Sequence, residues 1–464
     1  MEGTILIRDG TTVTAAQTID ADVRIRSGRI AEIGTRLVAH AGETIIDARG
    51  LYVLPGGVDP HVHLTRHPST PPELRGPEDL ESSSQAALAG GVTTVGEIAS
   101  PDSDDGVIDT VDRVERDVRL KSIIDVFVHP VLGSTTHKIN QVDELSARGQ
   151  PSLKVFLMDP AVANDVEGLT RAVQRAADAG VSVLFHCESL PELIRAQRAL
   201  VREGKTSLRF LPESRPESSE VRATAWALSL CRKTGATGYI VHISCAKALT
   251  LCSEARAEGL PIHVETRPEF LHLTAVCYRG ELAKLYVTIP PLREEADREA
   301  LWAGVAGGSI DVVATDDAPF WSKAQKLGAP DSFESLRMGV SGLQVLRPIL
   351  FSEGVVKGRI SIERFVDVTA TMPARIFGLY PRKGGITVGA DADLVLWDPK
   401  ETREISSDAL FSRTGFSLYE GWRVTGWPTM TLRRGEVAFA NGKVCAAPGT
   451  GELIARPSPW TRRG

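Results

Sequence analysis

No apolar stretch in the 464 residues approaches the roughly 18 needed to cross a bilayer, and the start, MEGTILIRDG, lacks a basic region followed by an apolar one. Neither a membrane span nor a secretory leader is expected, and the expected location is the cytoplasm. Cysteine is sparse: Cys187, Cys231, Cys245, Cys252, Cys277 and Cys445 stand far apart with no C-x-x-C pair. That speaks against a zinc knuckle and against a disulfide framework, and leaves most of them as buried thiols. There is no basic run, and 53 Lys and Arg against 59 Asp and Glu leave a net charge of −6. Nucleic acid and anionic membranes therefore find no electrostatic footprint, and a small-molecule partner is favoured. Internal repeats and low-complexity tracts are missing. So is a G-x-G-x-x-G loop after any strand-like run, which argues against a dinucleotide-binding open sheet.

What remains is ordinary for a soluble enzyme, 42% hydrophobic and 24% charged, with length enough for one large domain carrying a smaller one. Residues 1–52 hold short alternating runs (TILIRDG, ADVRIRSGRIAEIG, ETIIDARG) closed by Gly or Asp-Gly turns. The same vocabulary returns over 381–447, with Asn441-Gly442 as a hairpin turn, so the two segments are read as halves of one small β-sandwich. Between them, over 53–380, eight apolar runs alternate with amphipathic helices: LYVLPGGVD, VTTVGEI, SIIDVFVHP, SLKVFL, VSVLFH, GYIVHI, LPIHVET and IDVVAT. Continuous apolar strands alternating with helices mean a parallel sheet covered on its faces, and eight units point to an α/β fold of the closed (β/α)8 TIM-type barrel kind. The polar tail 448–464 carries an exposed-looking Trp460 that would suit a neighbouring subunit or a disordered end.

In such a barrel the chemistry sits at the C-terminal strand ends. The stretch PGGVDPHVHL places His61 and His63 two apart, on one side of a strand, so that two imidazoles aim at one spot. That arrangement suits a metal ion. The fourth run contains Lys154, the fifth ends in His186, the sixth has His242 and the eighth ends in Asp316. Five of eight strands thus bring a ligand type, or a lysine, to one rim.

In order and spacing, PGGVDPHVHL, PSLKVFL, LFHCES, YIVHISCAKAL, HVETRPEFLHLT, PPLREEADREALW, ATDDAPF and TMPARIFGLYPRKGGITVGADADLVLWDP resemble the hydantoinase and dihydropyrimidinase group of the amidohydrolase superfamily, over nearly the whole chain. The resemblance implies two divalent metal ions, usually zinc, with Mn2+ or Co2+ as alternatives. His61, His63 and Asp316 would hold the more buried ion, His186 and His242 the other, and Lys154, N6-carboxylated, would bridge them. An uncarboxylated ammonium has no acceptor with which to ligate. The implied reaction is hydrolysis of a cyclic amide or ureide by a metal-bridging hydroxide, with Asp316 as general acid and base. Allantoinase, dihydroorotase-like and cyclic-imide hydrolase activities are the alternatives, and outside enzymes a scaffold relative that has lost its metals. A homo-oligomer, tetramer or dimer, is implied as well.

Three positions depart from the group's habits. Asp317 follows the catalytic aspartate where histidine is usual, and is expected to change how a substrate polar group is held. Asp159 occupies the slot of a tyrosine that donates to the developing oxyanion, which a carboxylate cannot do. Ile289 replaces a serine before Pro-Pro. Dihydroorotase is disfavoured because Thr65 stands where its carboxylate-binding arginine would, with Arg66 displaced by one. Arg66, His67 and Arg267 are further candidate substrate contacts, with a surface ion pair the favoured alternative for each, and TRHPSTPPELRGPED (65–79) reads as a mobile substrate loop. Ser244 and Cys245 lack a neighbouring base and are read as packing.

Overall fold

The computed structural model describes residues 4–65, 76–102 and 104–460. All eight expected runs supply parallel strands: β1 (Gly57–Val62), β2 (Val92–Ala99), β3 (Asp125–Pro130), β4 (Ser152–Phe156), β5 (Ser182–His186), β6 (Gly238–Ile240), β7 (Ile262–Thr266) and β8 (Val312–Val313). Every residue of β2 is buried, Thr93, Thr94 and Glu97 included, as in a sheet covered on both faces. β1–β3 form one ladder and β4–β8 another. Two isolated parallel bridges, Val131 to Lys154 and Val62 to Asp317, sew these ladders into a ring.

Helices cover the outside. Val166–Asp178 is typical: Asp165 caps it by accepting from Gly168 N at 2.9 Å, and Leu169, Ala172, Val173 and Ala176 form a buried stripe at helical spacing. Inside the ring, Val58, Phe127, Leu184, Tyr239, Val241 and Val312 pack on Ala374, Ile376 and Phe377, so the Met372–Ile376 helix closes the floor.

The first run does two jobs. Tyr52–Pro55 pairs with Leu394–Glu404 and Thr11–Val13 in a seven-stranded sheet, and only from Gly57 does the chain enter the barrel. The crossing therefore falls at Gly56, where an added Cβ would meet Thr93 Oγ1 at 2.3 Å, rather than at 52/53. With the four-stranded sheet of Ile5–Arg8, Asp22–Arg26, Arg29–Gly34 and Thr44–Asp47 it builds the second unit, around Ile7, Val23, Ile25, Val53, Leu394 and Leu432. Asn441 and Gly442, both at positive φ (52° and 74°), make the hairpin turn between Glu436–Ala440 and Lys443–Val444.

The tail corrects an expectation. It lies on its own barrel: Leu453 bridges Val126, and Arg456 donates through Nη1 to Phe377 O (3.1 Å) and through Nη2 to Ser152 Oγ (2.5 Å). Trp460 is half-buried with its ring 5.1 Å from that of His263. Arg66 and His67, with residues 66–75 of the expected substrate loop, lie outside the described residues. Among the described residues no helix is long and apolar enough to cross a membrane.

Candidate metal centre

His61 closes β1 and His63 lies just past it. The strand end is pinned from three sides: Asp59 Oδ1 accepts from His61 N at 3.1 Å, His63 N donates to Asp317 O at 2.8 Å, and Glu97 accepts from Leu64 N and Thr65 N. Both imidazoles place Nε2 3.1 Å from one oxygen, Asp316 Oδ1. His242 joins from the end of β6, its ring 5.5 Å from that of His61 and 4.6 Å from that of His186. One ligand atom each from His61, His242 and Asp316 lies within 4.8 Å of the others, a cluster compact enough for a cation. This trio draws on both of the ligand groups the resemblance implies.

Two of these residues sit in the left-handed region, His242 at φ 38° and Asp316 at φ 49°. Such backbone is costly without glycine and persists where the surroundings hold it. Here Glu265 Oε1 accepts from His242 N at 3.0 Å, while Thr315, the residue before Asp316, donates through N and Oγ1 to Asp59 Oδ2 at 3.1 and 2.6 Å.

Outer contacts select ring nitrogens. His61 Nδ1 lies 2.6 Å from Glu265 Oε1, which leaves Nε2 for the centre. His186 Nε2 lies 2.7 Å from Glu188 Oε2, which leaves Nδ1. Glu188 is in turn held by Arg215 at 2.8 and 2.7 Å. Burial pushes the Glu188 carboxyl up, but Arg215 and His186 outweigh it and bring it down to about 2. Burial, then His186 and Lys154, hold His242 well below its ordinary value, so it is a neutral imidazole with a free lone pair. Asp316 is well below the usual carboxylate range because His61 and Arg267 overcome its burial.

Lys154 has no exposed surface, and its Nζ has no hydrogen-bond partner among the described residues. Burial lowers it to about 8 against the pull of Asp316 and Glu265. The centroid of the Phe156 ring lies 5.1 Å from Nζ.

The departing positions are turned to local use. Asp317 is fully buried; its Oδ1 accepts from Gly342 N and from Leu343 N (3.2 Å), so it braces the 342–343 turn. Asp159 accepts from Ala161 N at 2.8 Å and caps the short Pro160–Ala163 helix. Ile289 is buried. Arg267 is 1% exposed and faces Asp316 rather than the surface. Ser244 is bound through N and Oγ to Glu220 and receives Arg293 Nε at 3.0 Å, while Cys245 is buried, as the packing reading requires.

Sequence reasoning passed over Glu265, Asp59 and Glu97, the carboxylates that orient the imidazoles and their loops. Their signal was present: each lies in a strand, near the end where ligands cluster. A further polar residue of this kind is His129 in β3, whose Nδ1 is 2.7 Å from Ser152 Oγ.

Fold and centre together define a barrel protein that gathers imidazoles, a carboxylate and a buried lysine at the carboxyl ends of its strands. The chain belongs to the amidohydrolase family, whose pattern matches residues 52–438. D-hydantoinase of Geobacillus stearothermophilus is 35% identical over 463 residues, covering 98% of this chain and 96% of that one. D-phenylhydantoinase of Escherichia coli is 34% identical, covering 97% and 98%. The crystal structure of dihydropyrimidinase from Brevibacillus agri superposes with a TM-score of 0.92 at 32% identity, covering 98% and 99%.

Proposed function

We propose that this chain hydrolyses a ring C–N bond of a cyclic amide or ureide, of dihydropyrimidine or hydantoin type, at two divalent metal ions held by His61, His63, Lys154, His186, His242 and Asp316. The observation that carries the reading is Lys154, a buried amine with no hydrogen-bond partner among the described residues, within electrostatic reach of four imidazoles and the Asp316 carboxylate. A charge so placed is unfavourable unless it is neutralised or modified. A nitrogen lowered to about 8 is neutral in a sizeable fraction near neutral pH, and can add to carbon dioxide with loss of a proton. Carboxylated in this way, Lys154 would offer the cations an anionic pair of oxygens in place of an ammonium that has no acceptor. Imidazole nitrogen with carboxylate-type oxygen suits zinc best, and manganese or cobalt next. The names of the relatives, D-hydantoinase, D-phenylhydantoinase and dihydropyrimidinase, support the substrate class.

When bound, two such cations lower the pKa of a water and polarise a ring carbonyl. The chain's own residues do the rest. Glu265 and Glu188 fix which nitrogen His61 and His186 present. Asp316 takes a proton from the attacking water at its carboxylate and delivers it to the departing ring nitrogen, so the ring opens without a covalent intermediate.

Metal analysis and a screen of dihydrouracil, hydantoins, allantoin, dihydroorotate and simple imides test the proposal. Two metals per chain with opening of a hydantoin or dihydropyrimidine are expected. Metal-free protein purified from metal-supplied cells would establish the scaffold reading instead, and opening of allantoin or imides alone the runner-up. We include a dimer or tetramer in the proposal, to be read by sedimentation.

A further inference from the structure

Arg267 follows β7 and lies between two carboxylates. Its Nη1 donates to Asp316 Oδ2 at 2.9 Å, and its Nη2 forms a short ion pair with Glu269 Oε1. Arginine and both acids are buried, at 1%, 9% and 3% exposure. The oxygens of Asp316 are thereby divided: Oδ1 faces His61 and His63, and Oδ2 faces the guanidinium. An aspartate carboxylate has a broad, nearly two-fold terminal torsion, so without a second anchor its plane is weakly defined. Nη1 of a rigid planar guanidinium supplies that anchor, and the Glu269 charge beside Nη2 holds the guanidinium near it.

The energetics point the same way. Desolvating a guanidinium and two carboxylates costs several kcal/mol, and well-packed apolar side chains of like volume do as well or better for stability. What this triad adds over apolar packing is direction. We propose that Arg267, held by Glu269, is a positioning residue that fixes the plane of the Asp316 carboxylate, so that its proton is taken from water and given to the ring nitrogen along one line. Oδ2 keeps a lone pair for that proton, since a carboxylate oxygen accepts twice. The guanidinium stays protonated throughout and exchanges no proton with the reacting atoms.

The inference rests on the ring-opening reading, and its test separates the two. Metal-loaded wild type, Arg267→Met, Arg267→Lys and Glu269→Gln are compared for metal content, for kcat and KM on the best ring of the screen, and for the Asp316 orientation in crystals. Arg267→Met is expected to lose about 100-fold in kcat, the cost of a small misplacement, with KM within about threefold and two metals retained. Arg267→Lys restores about tenfold of that loss, since lysine returns the charge without the fork, and Glu269→Gln loses about fivefold. In Arg267→Met crystals the Asp316 carboxylate is rotated about its terminal torsion. A fully metallated Arg267→Met with at least half the wild-type kcat, or with Asp316 unmoved, overturns the proposal. So does an equal loss in the Met and Lys variants, which marks a purely structural residue. Should Arg267→Met not fold, unchanged kcat in both Arg267→Lys and Glu269→Gln overturns it. A metallated wild type that opens no ring removes the ring-opening reading, and the carboxylate orientation then decides the positioning role alone.

Discussion

Two lysines in this chain are equally buried and lead opposite lives. Lys383, 1% exposed, reaches from the second unit into three carboxylates, Asp125 at 2.6 Å, Asp393 at 2.8 Å and Asp391 at 3.1 Å. Asp125 opens β3, so this cluster bolts the barrel to the sandwich. Burial works against the Lys383 charge, yet the three acids raise its pKa above the ordinary value. Lys154, 0% exposed, has no hydrogen-bond partner among the described residues, and burial prevails. Burial alone therefore does not separate a chemical lysine from a structural one. The partners of the nitrogen do: Lys383 has its three acids, and the equally buried Lys326 donates to Leu285 O and Gly339 O.

Breaking each lysine should have opposite consequences. Lys154→Ala is expected to give the largest effect on activity: metals and ring opening vanish together, at least about a thousandfold in rate, while the unfolding midpoint of the apo protein stays near that of wild type. Atomic emission and a ring-opening assay check this, and a variant retaining two tight metals would contradict the bridge. Lys383→Met should instead cost about 3–5 kcal/mol of stability, because three buried carboxylates lose their counter-charge, while the metal content and rate of the folded fraction stay put. Urea unfolding with an activity assay separates the two terms.

The bolt also carries a pH signature. Burial pushes Asp125 up from its ordinary 3.8, but Lys383 and Arg434 hold it below that value. A depressed acid contributes stability above its unfolded pKa and loses it as pH falls through the folded one; a raised lysine contributes below 10.5 and loses it above. The stability gap between wild type and Lys383→Met should hence be flat from about pH 5 to 9 and close below about pH 4. A gap that widens in acid would show that the acids, not the lysine, are the strained partners. The smallest effect is expected at Asp159→Ala, about 1 kcal/mol for a lost helix cap. A large KM increase there would restore Asp159 to the substrate contacts.

The comparison also marks what could be read without coordinates. Eight strands and the two-part sandwich were legible because continuous and alternating apolar runs carry their own period. His61, His63, Lys154, His186, His242 and Asp316 were legible because each terminates or occupies such a run. Lys383 went unremarked, since its three partners lie 258, 8 and 10 positions away and only the folded chain assembles them. Glu265 was passed over although it stands near a strand end, because HVET does not say that one carboxylate serves His61 Nδ1, His242 N and, at 2.9 Å, the Tyr239 hydroxyl. Asp317 and Asp159 were weighed against a family's substrate contacts, and in the fold both also bind nearby backbone amides, as short acidic side chains readily do. Even the Tyr52–Pro55 run, apolar like the strand it precedes, gave no hint that the chain changes units within one glycine.

The two bridges that complete the ring deserve a last thought. One ends on Lys154 itself and the other on Asp317, next to Asp316. The barrel is thus thinnest in pairing where its chemistry hangs, as a bracelet is thinnest at its clasps. A centre filled through a carboxylated Lys154 and Asp316 would fasten both clasps from inside. Loading the centre and locking the barrel's circumference would then be one event, and the chain would test its own completeness by whether the ring stays shut.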